Sequence, residues 1–134
     1  MKVSKAIPVP IHQVESAEIE IMHLLRAGVI KKVTEPTDWT SPALFVTKGS
    51  GELRLVTDFR GLNRYLERPT HPFLTTEVLS KMVRADSRYF AKVDLVSAYH
   101  QVPLAEESQL LTTFLISAGK MSGRYAYQRA AMGM

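Results

Sequence analysis

Apolar side chains at Val14, Ala17, Ile21, Leu24 and Leu25 recur at helical spacing, while Glu15, Glu18, Glu20 and Arg26 fall largely off that stripe. The pattern predicts an amphipathic helix over Val14–Ala27, stopped by Gly28. Upstream, Pro8 and Pro10 remove donors and push their neighbours towards extended geometry, so the segment to about Gln13 reads as an extended lead-in. Val29-Ile30 forms a short extended piece, and Glu35 to Pro42, with two prolines and small polar residues, reads as a loop whose Trp39 pins it to the core. Ala43–Thr47 and Leu53–Thr57 are β-prone runs on either side of Lys48-Gly49-Ser50-Gly51-Glu52, which predicts a hairpin with a flexible tip. A second helix is expected over Glu77–Val83, with Thr76 as N-cap and Val78, Leu79, Met82 and Val83 as its buried face. Tyr89–Leu95 reads as a buried strand. Val102-Pro103-Leu104 with Glu106-Glu107 reads as a turn or short helical segment, and Thr112–Ile116 and Arg124–Gln128 as two strands joined through Gly119 and Gly123. The mixture is α+β, an antiparallel sheet packed against helices.

At 134 residues, 46% hydrophobic and 22% charged, the chain is long enough for one domain with a real core. No repeat or low-complexity run argues for a second. No apolar run reaches the length of a membrane span and Met1-Lys2-Val3-Ser4-Lys5 lacks a signal-peptide core, so the expectation is a soluble intracellular protein, cytoplasmic or nuclear, with no membrane partner. The absence of cysteine excludes disulfides, thiolate zinc sites and a Cys nucleophile, which leaves oxygen-ligated Mg²⁺ or Mn²⁺ as the more natural metal.

Net charge is +4, and all of the excess sits in residues 48–92, where Lys48, Arg54, Arg60, Arg64 and Arg68 recur. This suits either phosphate contact or an ordinary solvated face. Lys48 on the glycine tip and Arg54 on the return strand can close over a polyphosphate. Asp58-Phe59-Arg60-Gly61-Leu62-Asn63 either grips a nucleic-acid backbone, with Asp58 orienting an arginine, or holds an internal ion pair at a strand end. Asp94, where an apolar run emerges, either holds a divalent cation or caps the next turn. Glu106 and Glu107 read as solvated, the four histidines are too dispersed for a metal cluster, and His100 reads as a packing or template-proximal residue.

Taken together, Trp39-Thr40-Ser41-Pro42, Val46-Thr47-Lys48, the run Gly51 to Asn63, His71-Pro72-Phe73 and Tyr89 to Pro103 resemble, in order and spacing over roughly residues 7–134, the reverse transcriptases of gypsy-type LTR retrotransposons and, more distantly, of retroviruses. The resemblance implies polymerase fingers over about residues 1–88 and the beginning of the palm over about 89–134. Asp94 matches the first metal-binding aspartate, with the Leu95 carbonyl as a further ligand. Tyr99, with Ala98 beside it, matches the aromatic that stacks under the incoming sugar, and Arg54 the fingers arginine on the triphosphate. Lys48 matches the fingers lysine, although the usual lysine run is here Thr47-Lys48-Gly49. Asp58, Arg60 and Asn63 fall in the template-contacting segment. Met132-Gly133 match the start of the next palm motif, whose usual proline is Ala131.

The resemblance further implies an RNA-directed DNA polymerase that transfers nucleotides with Mg²⁺ or Mn²⁺. Its partners are an RNA or DNA template-primer, dNTPs and the remainder of a polyprotein: the rest of the palm, the thumb and RNase H. The family's other carboxylates come from a Tyr-x-Asp-Asp hairpin, and no Asp-Asp pair occurs here. The expectation is therefore a chain that does not polymerise by itself. The alternative is a non-catalytic remnant that binds nucleic acid or a protein.

Overall fold

The computed structural model describes residues 6–67 and 70–134. Arg68 of the basic series and the first five residues of the lead-in lie outside the described residues. The chain divides into two units, one comprising Met1–Tyr65 with Ser97–Met134, the other Leu66–Val96.

In the first unit, a 3-10 turn at Ile11–Gln13 leads into helix α1, Val14–Arg26, which buries Ala17, Ile21 and Leu24. The helix ends at Ala27, and Gly28 adopts a left-handed φ of +64° that a side chain resists. The chain then enters β1, Ile30–Lys32. The expected hairpin forms from β2, Ser41–Thr47, and β3, Leu53–Thr57, antiparallel and in a register pairing Phe45 with Leu55 and Val46 with Arg54. It turns over bonds from the Lys48 amide to the Glu52 carbonyl (2.7 Å) and from the Gly51 amide to the Lys48 carbonyl (2.9 Å), with Gly51 at φ +86°. A short helix α2 follows at Arg60–Asn63.

The later strands, β4 at Phe114–Ile116 and β5 at Gly123–Tyr127, complete a five-stranded sheet in the order β1-β5-β4-β2-β3. The sheet is not wholly antiparallel. β2 pairs with β4 in parallel, Ser41 opposite Phe114 and Pro42 opposite Leu115, because the intervening chain allows β4 to return in the same direction. The core consists of the inner face of α1, the alternating Leu53 and Leu55 of β3, Phe59, Leu62, Phe114, Ile116 and the two tyrosines Tyr125 and Tyr127, with Trp39 packed against it as the loop reading required.

The Tyr127 ring lies 5.1 Å from Phe114 and 5.8 Å from Phe59, and its hydroxyl meets the Thr57 hydroxyl at 3.2 Å. Its amide donates to Thr112 Oγ1 (2.8 Å), which itself donates to the Gln109 carbonyl (2.6 Å). Gln109 closes the short helix α4, Glu106–Gln109, whose Glu106 and Glu107 are exposed.

The second unit departs from expectation in three respects. Helix α3 runs from Thr76 to Met82 and is capped by Thr75, whose hydroxyl accepts from the Val78 amide at 3.3 Å, so the cap lies one residue earlier than Thr76. Its apolar residues Val78, Leu79, Met82 and Val83 are exposed rather than buried. Tyr89–Leu95 forms no strand, and Tyr89, Phe90, Val93 and Leu95 are exposed. A strand exists only where a neighbour completes its hydrogen-bond ladder, and no described residue does so here. An apolar run signals the tendency but cannot supply the partner.

Tyr127→Phe removes the partner of the buried Thr57 hydroxyl and is expected to lower stability by about 1–2 kcal/mol. Leu79→Ala, on the exposed side of α3, is expected to change it by less than about 0.5 kcal/mol. Urea unfolding midpoints of the two variants check the ranking.

Candidate functional site

Strand β3 sets the first functional side chain by alternation. Leu53, Leu55 and Thr57 face the core, so Arg54 faces out. Its Nη2 contacts the sulfur of Met132, a residue 57% exposed in the turn near the end of the chain. The next residue is held from another direction: Asn63, the last residue of α2, donates from Nδ2 to the Gly133 carbonyl at 2.7 Å. This bond fixes the orientation of the amide, and the Asn63 Oδ1 acceptor is left buried with no hydrogen-bond partner among the described residues. Arg54, Asn63 and Met132 thus converge from three separate stretches of sequence.

Tyr99 comes to the same unit on a 3-10 turn, Ala98–Gln101, entered through Ser97 in the left-handed region at φ +50°. Tyr99 is exposed and Ala98 half-buried. The turn is tied to the chain just before Met132 by the Ala130 amide donating to the Val102 carbonyl (2.8 Å) and by Arg129 Nη1 donating to the His100 carbonyl (3.3 Å).

Lys48 at the hairpin tip is occupied by Glu52, Nζ to Oε2 3.3 Å, and Ser50 Oγ reaches the same oxygen at 3.3 Å. An exposed pair of this kind is weak enough for a phosphate to compete with Glu52. Asp58 and Arg60 form the ion pair that was one of the two readings of their segment: Arg60 Nη2 to Asp58 Oδ2 is 2.7 Å, Nε lies 3.0 Å from both carboxylate oxygens, and the Arg60 amide donates to Oδ1 at 3.0 Å. These bonds from Arg60 hold the Asp58 carboxyl below its ordinary value of 3.8. Arg60 remains 87% exposed at its side chain, open to a further anion.

Asp94 and Leu95 belong to the other unit, and both are exposed. Among the described residues no three His, Cys, Asp or Glu side chains group closely enough to hold a metal ion. Asp94 offers one carboxylate, which does not amount to a two-ion centre. No helix of the described residues is long and apolar enough to cross a membrane.

Spacing did not single out the surroundings of His100. It is half-buried, and burial is the main reason its imidazole titrates below the ordinary 6.5; Glu20 opposes this shift, while Arg54 and His23 add to it. Its adjacency to Tyr99 was visible in the sequence, whereas its nearness to Arg54 depends on tertiary structure.

Both depressed values make the fold acid-sensitive. The Asp58 contribution is fully present above 3.8 and is lost as pH falls from there through the lower folded value; His100, being harder to protonate in the folded chain, costs stability as pH falls below 6.5 towards its lower folded value. Unfolding midpoints measured against pH are therefore expected to flatten between about pH 7 and 5 in His100→Gln and below about pH 4 in Asp58→Asn.

No protein-family model matches the chain. The Pol polyprotein of the transposon gypsy from Drosophila melanogaster is 30% identical over 138 residues, a match covering 98% of this chain and 13% of that polyprotein. Among solved structures, the native protease-reverse transcriptase of prototype foamy virus aligns with a TM-score of 0.78 at 25% identity, over 99% of this chain and 17% of that one. A foamy viral protease-reverse transcriptase in complex with double-stranded DNA shares the fold, with a TM-score of 0.69 at 21% identity over 98% of this chain and 21% of that one. The chain therefore spans a small part of the relatives it matches. It is a relative of one segment of retroelement Pol polyproteins, in a region related to reverse transcriptase.

Proposed function

We propose that the chain is the fingers, about residues 1–88, and the beginning of the palm, about residues 89–134, of a gypsy-type retrotransposon reverse transcriptase. In its full-length parent it serves an RNA-directed DNA polymerase. The observation that carries this reading is that Arg54 meets the exposed Met132 while Asn63 holds the neighbouring Gly133 carbonyl, so that three separate stretches of sequence meet at one place. A guanidinium beside an apolar side chain suits a nucleoside triphosphate, with Arg54 on phosphate oxygens and Met132 against the nucleoside. Lys48, released from Glu52, adds a second cation. Tyr99, with Ala98, packs under the sugar. Asp58 holds Arg60 towards the template backbone, and Asn63, at the end of that template-contacting segment, joins it to the Arg54–Met132 surface through the Gly133 carbonyl.

In the parent, Asp94 and the Leu95 carbonyl would be ligands to Mg²⁺ or Mn²⁺ together with further carboxylates. The described residues alone do not fit a two-ion site. Template-primer, dNTPs and the remaining polyprotein are the proposed partners. The relationship to gypsy Pol supports the polymerase reading, and the foamy viral protein found with double-stranded DNA supports the nucleic-acid partner. A second reading, nucleic-acid binding without catalysis, draws on the same exposed Lys48, Arg54 and Arg60 and needs no carboxylate beyond Asp94.

Fluorescence anisotropy with a labelled template-primer is expected to show affinity that falls steeply with salt and weakens about tenfold in Arg60→Ala. Salt-insensitive or absent binding contradicts the reading. In primer extension with Mg²⁺ or Mn²⁺ the chain by itself is expected to add no nucleotide, and incorporation that disappears in Asp94→Asn would overturn that expectation.

A further inference from the structure

The loop before the hairpin and the end of α2 bring together two rings that the site described above does not use. Trp39 and Tyr65 meet edge to face, with centroids 5.4 Å apart and planes at 85°. Trp39 is held firmly. It packs on the hydrophobic core, its amide donates to Thr37 Oγ1 at 3.2 Å, and that hydroxyl reaches the Leu110 carbonyl at 3.4 Å. Tyr65 is also fixed at its backbone, since its amide donates to the carbonyl of the buried Leu62 at 2.9 Å. Yet Tyr65 is 71% exposed. A ring braced on one side and open over most of its surface has little further freedom to lose on binding, which favours stacking.

The charges near it in the chain select the ligand. Arg60 and Arg64 lie on and just after α2, both exposed, and residues 48–65 carry four basic side chains against two acidic ones. Cations that track phosphates beside an open aromatic face are the arrangement that binds single-stranded nucleic acid with little sequence preference.

We propose that Tyr65, braced by Trp39, is a stacking platform for a base of single-stranded nucleic acid, with Arg60 and Arg64 holding the adjoining phosphates. This rests on the nucleic-acid reading above and adds a base contact to it.

Trp39 is the sole tryptophan of the chain, so its emission reports on the ring pair. The test titrates the chain with oligothymidylate and with an abasic oligomer of the same length and phosphate count. Oligothymidylate is expected to bind more tightly and to change Trp39 emission. Tyr65→Ala is expected to lose about tenfold in affinity for oligothymidylate and nothing for the abasic oligomer, while Tyr65→Phe, which keeps the ring, retains the parent affinity for both. If both oligomers bind and Tyr65→Ala leaves the difference between them unchanged, the stacking platform is wrong and the nucleic-acid reading survives. If neither oligomer binds, both are wrong.

Discussion

The buried Tyr127 is the contact on which the arrangement of the first unit depends. Its ring joins Phe114 of β4 to Phe59 at the start of α2, its hydroxyl bonds to Thr57 at the end of β3, and its amide bonds to Thr112. One residue of β5 thereby fixes the hairpin, the short helix and the chain that leads to Met132 relative to one another. Burial raises the tyrosine's pKa, the Thr57 hydrogen bond works against that rise and Glu20 adds to it, so the phenol is protonated at neutral pH and available as a partner for Thr57. Without that fixed relation there is no reason for Arg54, Asn63 and Met132 to meet.

The surface built on this core has few strong internal bonds. The hairpin cation is taken up by an exposed glutamate, and Arg60 by Asp58, whose pairing leaves most of the arginine open. The Asn63 acceptor has no described partner. Groups kept in place by weak or incomplete pairing can exchange those partners for a ligand at small cost, whereas a strongly paired, buried set cannot. The arginine–methionine contact has the same character, being polar on one side, apolar on the other and exposed.

Local pattern was enough for the parts of the fold whose partners are near in sequence. The three-and-four spacing from Val14 to Leu25 gives α1, and the alternation of Leu53, Leu55 and Thr57 both gives β3 and turns Arg54 outward. Contacts between distant stretches left no such mark. Nothing local distinguishes the parallel pairing of Ser41 with Phe114, the bond from Asn63 to Gly133 or the burial of His100 beside Arg54. The apolar run at Tyr89–Leu95 shows the limit from the other side: period and composition favour a strand, but without a neighbouring ladder among the described residues the backbone stays unpaired and the side chains exposed. The resemblance through the segments around Arg54, Asp94 and Tyr99 carried the functional reading further than spacing could, since it names roles that only a ligand would reveal in the geometry.

Arg54, Asn63 and Met132 are proposed to form one binding surface. The most direct measurement is an NMR titration of the chain with a deoxynucleoside triphosphate, following the Arg54 Nε, the Asn63 side-chain amide, the Met132 methyl and the Gly133 amide. All four signals are expected to shift together on a single binding curve. Shifts confined to the Lys48 tip, or signals that move on separate curves, would contradict it.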